Sequence, residues 1–135
     1  MKIVRWVVLI PAAIASFYVM FDLSVSSFFL LDSLLCPPED VISDTCNNET
    51  VSSILNAFIY FSTGLTAVVI VLISTAIAPS HKEYTAWSSF GLGTLAATYL
   101  AFQTDAWDQY LAALIGGLIS VFGVVYFLRR KNNRP

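Results

Sequence analysis

Charge is scarce in this 135-residue chain: Asp, Glu, Lys and Arg make up 12% of it, against about 25% in an ordinary soluble domain. With 57% of residues apolar, that scarcity excludes a conventional soluble enzyme with a solvated surface, and the apolar excess excludes a disordered tail. A net charge of −2 without a basic cluster on a folded segment gives no footprint for phosphate backbones, so no nucleic-acid partner is expected. Histidine occurs once, as His81, and cysteine twice, as Cys36 and Cys46, which leaves too few ligands for a His/Cys metal centre. Glycine-rich phosphate loops, Ser-His-Asp sets and His-Glu-x-x-His patterns are also missing. The residues therefore call for no metal and no cofactor, and a non-enzymatic role is expected.

What the chain has in place of charge is long apolar runs. A membrane-spanning helix needs about 20 mostly apolar residues, and four segments reach that length: about 6–30, 51–77, 84–102 and 107–128. The expectation is an all-α membrane protein, one domain over 1–135, built as an antiparallel bundle of four transmembrane helices in contact with the lipid bilayer. The loop over 31–50 is long and carries five acids and both cysteines, whereas the 78–80 and 103–106 connections are tight hairpins.

All seven basic residues (Lys2, Arg5, Lys82, Arg129, Arg130, Lys131, Arg134) fall on one side of this arrangement. The positive-inside rule then places both termini and the second loop in the cytoplasm and the 31–50 loop outside, with a bacterial inner membrane or other plasma membrane as the expected location. Trp6, Trp87, Trp107, Tyr84 and Tyr110 stand near segment ends, as in an interfacial aromatic belt. The first segment imitates a signal peptide around Ala13–Ile14–Ala15, yet apolar character continues from Phe17 to Leu35, which favours an uncleaved span with Pro11 tolerated near its start. Ser80-x-x-Glu83 has the form of a capping box opening helix three behind Pro79, and Asp105 and Asp108 are placed to cap helix four. The basic tail reads as an orientation signal.

Cys36 and Cys46 share the exterior loop, where the compartment is oxidising, so a structural disulfide is the leading reading. Closing an 11-residue loop stabilises by about 2–3 kcal/mol in the chain-entropy model. In helix count the chain resembles quinone-linked thiol oxidoreductases, but it has no Cys-x-x-Cys pair and no further cysteine to relay electrons, so that remains a minor alternative. Asp22 is the one ionisable side chain inside a span, a functional hypothesis by default. Counted from Trp6 it falls in the outer third of the membrane, in one layer with Asn56, Tyr60, Tyr99 and Tyr110. That intramembrane polar cluster reads either as a hydrogen-bonded tie between helices or as a proton or cation site. Ser89, Gly93, Ala97 and Ala101 on helix three, and Ala112, Gly116 and Ser120 on helix four, form small-residue stripes of the kind that mark a packing face in lipid. One stripe packs on the other across the short hairpin, or together they make an intermolecular face. Asn48–Glu49–Thr50 is a glycosylation sequon, meaningful only in a eukaryotic host, and His81 belongs to the cytoplasmic interface rather than to a site.

Two functions from different classes follow. One is an accessory, assembly or immunity-type subunit whose helix faces and acidic loop recognise another membrane protein or a second copy of the chain. The other is a small homo-oligomeric transporter or channel using Asp22 as its proton or cation site. In size, helix count and an acid in helix one the chain is similar to the small multidrug transporters, and that resemblance implies a membrane carboxylate exchanging protons for cationic compounds. It departs from them in its long cysteine-bearing loop and in the outer position expected for Asp22.

Overall fold

A computed structural model describes residues 2–42, 45–78 and 80–132. The expectations for Pro79, Asp44 and Arg134, and for the side chains of Lys2, Arg5 and Trp6, lie outside what is described. Four helices carry the fold: α1 (Lys2–Leu35), α2 (Glu49–Ile77), α3 (Lys82–Thr104) and α4 (Trp107–Asn132). Between α1 and α2 lie a single 3-10 turn, Pro38–Asp40, and two short antiparallel strands, β1 (Val41–Ile42) and β2 (Thr45–Cys46), with Val41 opposite Cys46 and Ile42 opposite Thr45. The chain is thus an all-α four-helix bundle with one small ribbon at one end.

Three of the helices, α1, α2 and α4, are long and apolar enough to cross a membrane, which makes this a multi-pass membrane protein. The exception to the expected four spans is α3. Its 23 residues give a length of about 34 Å, enough to reach across, but Ser88, Ser89, Thr94, Thr98 and Gln103 dilute its hydropathy. Thr94 and Thr98 return their hydroxyls to the carbonyls of Phe90 and Thr94 at 2.8 and 2.7 Å, so α3 satisfies part of this polarity within itself.

Helix ends differ from the sequence reading. The first helix has 34 residues and continues unbroken through Pro11 and on to Leu35, which shortens the connecting loop to residues 36–48. Helix α2 opens on Asn48, whose side-chain oxygen accepts from the Thr50 and Val51 amides at 3.0 and 3.4 Å, an N-cap of ordinary design. The capping box expected at Ser80–Glu83 does not form. His81 takes the N-cap position of α3 in the left-handed conformation at φ 52°, with no side-chain cap bond, so Glu83 falls at the second helical residue instead of the third. Glu83 instead approaches Arg129 at 3.8 Å, an exposed pair. Asp105 likewise does not cap α4 through its side chain. It closes α3 in the left-handed region at φ 55°, a conformation that Asp tolerates better than most residues.

Helix α2 is the hub: it packs most extensively on α4, then on α1, and also on α3, while α3 also packs on α4. The most buried cluster is Val71, Ala86 and Val121 from α2, α3 and α4, with Phe90, Val124 and Val125 against it. It lies toward the end of the bundle that carries Lys82 and the Arg129–Lys131 tail. Trp87 adds edge-to-face contacts with Phe90 and Phe122, at centroid separations of 6.4 and 6.1 Å. At the opposite end Phe102 meets Trp107 edge-on at 4.9 Å across the α3–α4 connection.

The small-residue stripe of α4 does not pack on that of α3. Gly116 lies on Gly64 of α2 so closely that an added Cβ would come within 2.9 Å of the Gly64 Cα, and a Cβ on Gly64 would stand 3.2 Å from the Ala112 carbonyl oxygen. One turn further, Ser120 donates to the Val68 carbonyl at 3.3 Å. Ala112, Gly116 and Ser120 therefore line the α2–α4 crossing, where missing side chains let two backbones touch. Gly117 makes room for the Phe90 ring of α3, whose atoms lie 2.7 Å from the Cβ it lacks. On α3, Ala101 is buried and Ser89 and Ala97 are half-buried, but Gly93 faces open space.

Candidate functional site

Two places on the molecule concentrate polar chemistry. The first is the short loop between α1 and α2. Cys36 and Cys46 form a disulfide with Cα atoms 5.8 Å apart, inside the range an unstrained bridge requires. Cys36 is held at the end of α1 by its amide donating to the Asp32 carbonyl at 3.0 Å. Asp40 organises the other side. Its carbonyl accepts from the Asn47 amide at 2.9 Å, and its carboxylate accepts from the Asn48 side-chain amide at 2.9 Å. Asn48 thus spends its oxygen on the α2 cap and its nitrogen on Asp40, so the sequon asparagine is committed to holding the loop on the helix. A shallow open depression of about 400 Å³ runs beside it, lined by residues such as Asn47, Glu49 and Ser52.

The second place is α1, whose two faces differ. Ala12, Ala13, Ser16, Met20, Ser24 and Ser27 are half-buried and recur at three- and four-residue intervals, the pattern of one helix face set against α2. Ser16 and Ser24 return their hydroxyls to the Ala12 and Met20 carbonyls, each at 2.7 Å. Asp22 lies two residues from both Met20 and Ser24, which at 100° per residue turns it to the opposite side. It is exposed, and so are Ala15, Ser26 and Ser33 on its side of the helix. Asp22 makes no hydrogen bond or ion pair among the described residues.

Along the helix axis Asp22 stands about 22 Å from Val7 and about 20 Å from Leu35, near the middle of the apolar stretch of α1.

The polar layer expected around Asp22 is not drawn together by hydrogen bonds among the described residues. Asn56 and Tyr60 on α2 and Tyr99 on α3 are exposed, and Tyr110 on α4 is half-buried. The Tyr99 hydroxyl accepts from Gln103 of its own helix at 2.7 Å, and Tyr110 sits edge-on to Trp107 at 6.0 Å. His81 is exposed at the start of α3. Asp108 is exposed in the first turn of α4, where its charge suits the helix dipole.

Two features were missed from sequence although a signal existed. Asn48, followed by Glu49 and an apolar run, has the form of an N-cap, yet it read first as a sequon. Ala15, Ser26 and Ser33 share the face of Asp22 by helical spacing alone, at seven residues before it and at four and eleven after it. Comparison with known protein families, with curated proteins and with solved structures finds no match to this chain.

Proposed function

We propose that the chain is an accessory, assembly or immunity-type subunit that recognises another protein within the membrane. One observation carries this reading: no residue in the apolar stretch of α1 is fully buried inside the chain, whereas α2 and α4 bury part of theirs, and the exposed face of α1 holds a carboxylate at mid-length. A span that neither contributes to its own core nor presents a purely apolar surface to lipid is suited to contact with another protein. We further propose that all four helices span, α3 packed against α2 and α4 and presenting Leu92, Leu95 and Phe102 outward. The basic end carrying Lys82 and Arg129–Lys131 then faces the cytoplasm and the disulfide-closed loop the exterior, in a bacterial inner membrane or other plasma membrane. Native mass spectrometry of the full chain, extracted gently from its own membrane, tests the reading. A hetero-complex of fixed stoichiometry is the expected result, and a monomer or a pure homo-oligomer overturns it.

The mid-length position of Asp22 favours one other reading, a homo-oligomeric transporter in which copies of this acid line a shared path. It predicts a homodimer or homotetramer by the same measurement, and proton-coupled uptake that is abolished by Asp22→Asn.

A further inference from the structure

Hydrocarbon does not solvate a carboxylate, and acids within spans turn to a bundle interior, to water or to a cation. Asp22 turns to none of these within its own chain: it lies on the side of α1 away from α2, exposed, with no partner among the described residues. Nor does a basic residue stand at its level among the described residues. Lys82 and Arg129–Lys131 stand at helix ends, and Arg5, the nearest basic residue on α1, precedes Asp22 by about 26 Å of helix. A second copy brings the same residues at the same ends, so it too offers no base at this level. The surroundings of Asp22 mix small and large exposed side chains. Ala15 lies two turns before it and Ser26 one turn after, both small and exposed, while Tyr18 and Phe29 stand exposed on the same side.

Resting on the accessory-subunit reading, we infer that the outward face of α1, centred on Ala15, Asp22 and Ser26, receives a transmembrane helix of a different protein carrying a Lys or Arg at the depth of Asp22. The charges neutralise one another in the membrane, and Ser26, one turn from Asp22, leaves room beside the carboxylate for the long side chain of the base. Recognition is then selective, because a helix without the base leaves Asp22 uncompensated.

The test places a photoreactive phenylalanine derivative at Tyr18 in the full chain, irradiates native membranes and locates the adduct by peptide mass spectrometry. The adduct is expected in a membrane segment of another protein, within a helical turn of a Lys or Arg. Asp22→Asn should lower its yield by about tenfold or more, in keeping with close charge pairs at other interfaces, while Asp22→Glu preserves it. Exchanging the charges, with Asp22→Lys in this chain and the partner's base replaced by Asp, should restore the yield. This exchange also carries the test if Asp22→Asn alone fails to form the Cys36–Cys46 bridge. An adduct to a second copy, to lipid alone, or to a segment without a base overturns the inference, as does a yield indifferent to Asp22→Asn. A hetero-complex seen by native mass spectrometry without the Tyr18 adduct sinks this inference and leaves the accessory reading standing. No hetero-complex at all removes both.

Discussion

The α2–α4 crossing and the outer face of α1 each set small residues beside a polar one, but only at the crossing do they pack against a neighbouring helix. At the crossing, Gly64 and Gly116 remove side chains so that two backbones meet inside one chain, and Ser120 adds a hydroxyl bond to Val68. On α1, Ala15, Asp22 and Ser26 are exposed, and the polar member is a carboxylate instead of a hydroxyl. In lipid, apolar area gained between helices is worth little because acyl chains are as apolar as leucine, so small and polar residues indicate where protein meets protein. The comparison teaches that such residues divide into two sets. One packs between helices of the chain, and the other lies exposed on its surface.

The largest effect expected from breaking this contrast is at Asp22. Replacing it by Leu should make membrane insertion of α1 more favourable by about 3 kcal/mol, because an Asp within an apolar helix is among the costliest residues to insert and Leu among the easiest. A glycosylation-reporter insertion assay of α1 measures this. The same substitution should abolish association while leaving the isolated subunit folded. An insertion free energy that does not change would mean that the carboxylate is already sheltered or hydrated, and the outer face would no longer differ from the crossing.

Next in size is a paired glycine test. Gly116→Leu forces a branched side chain into the Gly64 backbone and should destabilise the subunit by about 3 kcal/mol, at the upper end for overpacking. Gly93→Leu meets open space and should stay within about 0.5 kcal/mol in the isolated chain. Reversible unfolding in mixed micelles reads both. Equal costs at the two positions would show that Gly93 is covered in the folded subunit, and the α3 stripe would then join the internal set.

Reducing the Cys36–Cys46 bridge, or replacing both residues by Ser, should cost about 2–3 kcal/mol from the loop it closes. The loss should fall on α1 relative to α2, since the bridge joins the end of α1 to the segment that leads into α2. Hydrogen exchange localises it. Faster exchange confined to residues around 31–50 is expected, with the α2–α4 crossing unchanged. A loss that spread to the α2–α4 crossing would show that α1 supports the core despite the absence of buried residues in its apolar window.

The sequence made some of this visible and hid the rest for physical reasons. Helix number and the cysteine pairing were legible because apolar run length and a single pair of cysteines in one short loop each leave few alternatives. The end of α1 was not, since Asp32 and Ser33 are as acceptable in a helix projecting past the hydrocarbon as in a loop. Ser80 and Glu83 carry the letters of a capping box, but the pattern says nothing of backbone handedness, and His81 at φ 52° shifts the register by one residue. Four-residue spacing showed that Ala112, Gly116 and Ser120 share a face. It could not show which neighbour that face meets, because in an antiparallel bundle α4 has both α2 and α3 within reach. Asp22 was recognised as the acid inside a span, yet its outward direction required knowing which side of α1 rests on α2.

The smallest expected effect separates glycine packing from hydrogen bonding at the α2–α4 crossing. Ser120 is buried and donates to the Val68 carbonyl at 3.3 Å, a long bond to an oxygen that lies within a helix. Ser120→Ala removes the hydroxyl, leaves a side chain of nearly the same volume and orphans no acceptor, because the Val68 oxygen keeps its place in the helical ladder. The cost should therefore be about 0.6 kcal/mol, the average for interhelical hydrogen bonds within a membrane protein, and far below that of Gly116→Leu. The same micelle unfolding measurement resolves the difference. A cost near 2 kcal/mol would put the hydroxyl, and not the contact between glycine backbones, in charge of the crossing. The outer face of α1, which carries the stronger polar group, would then be expected to bind its partner mainly through Asp22, with Ala15 and Ser26 contributing little.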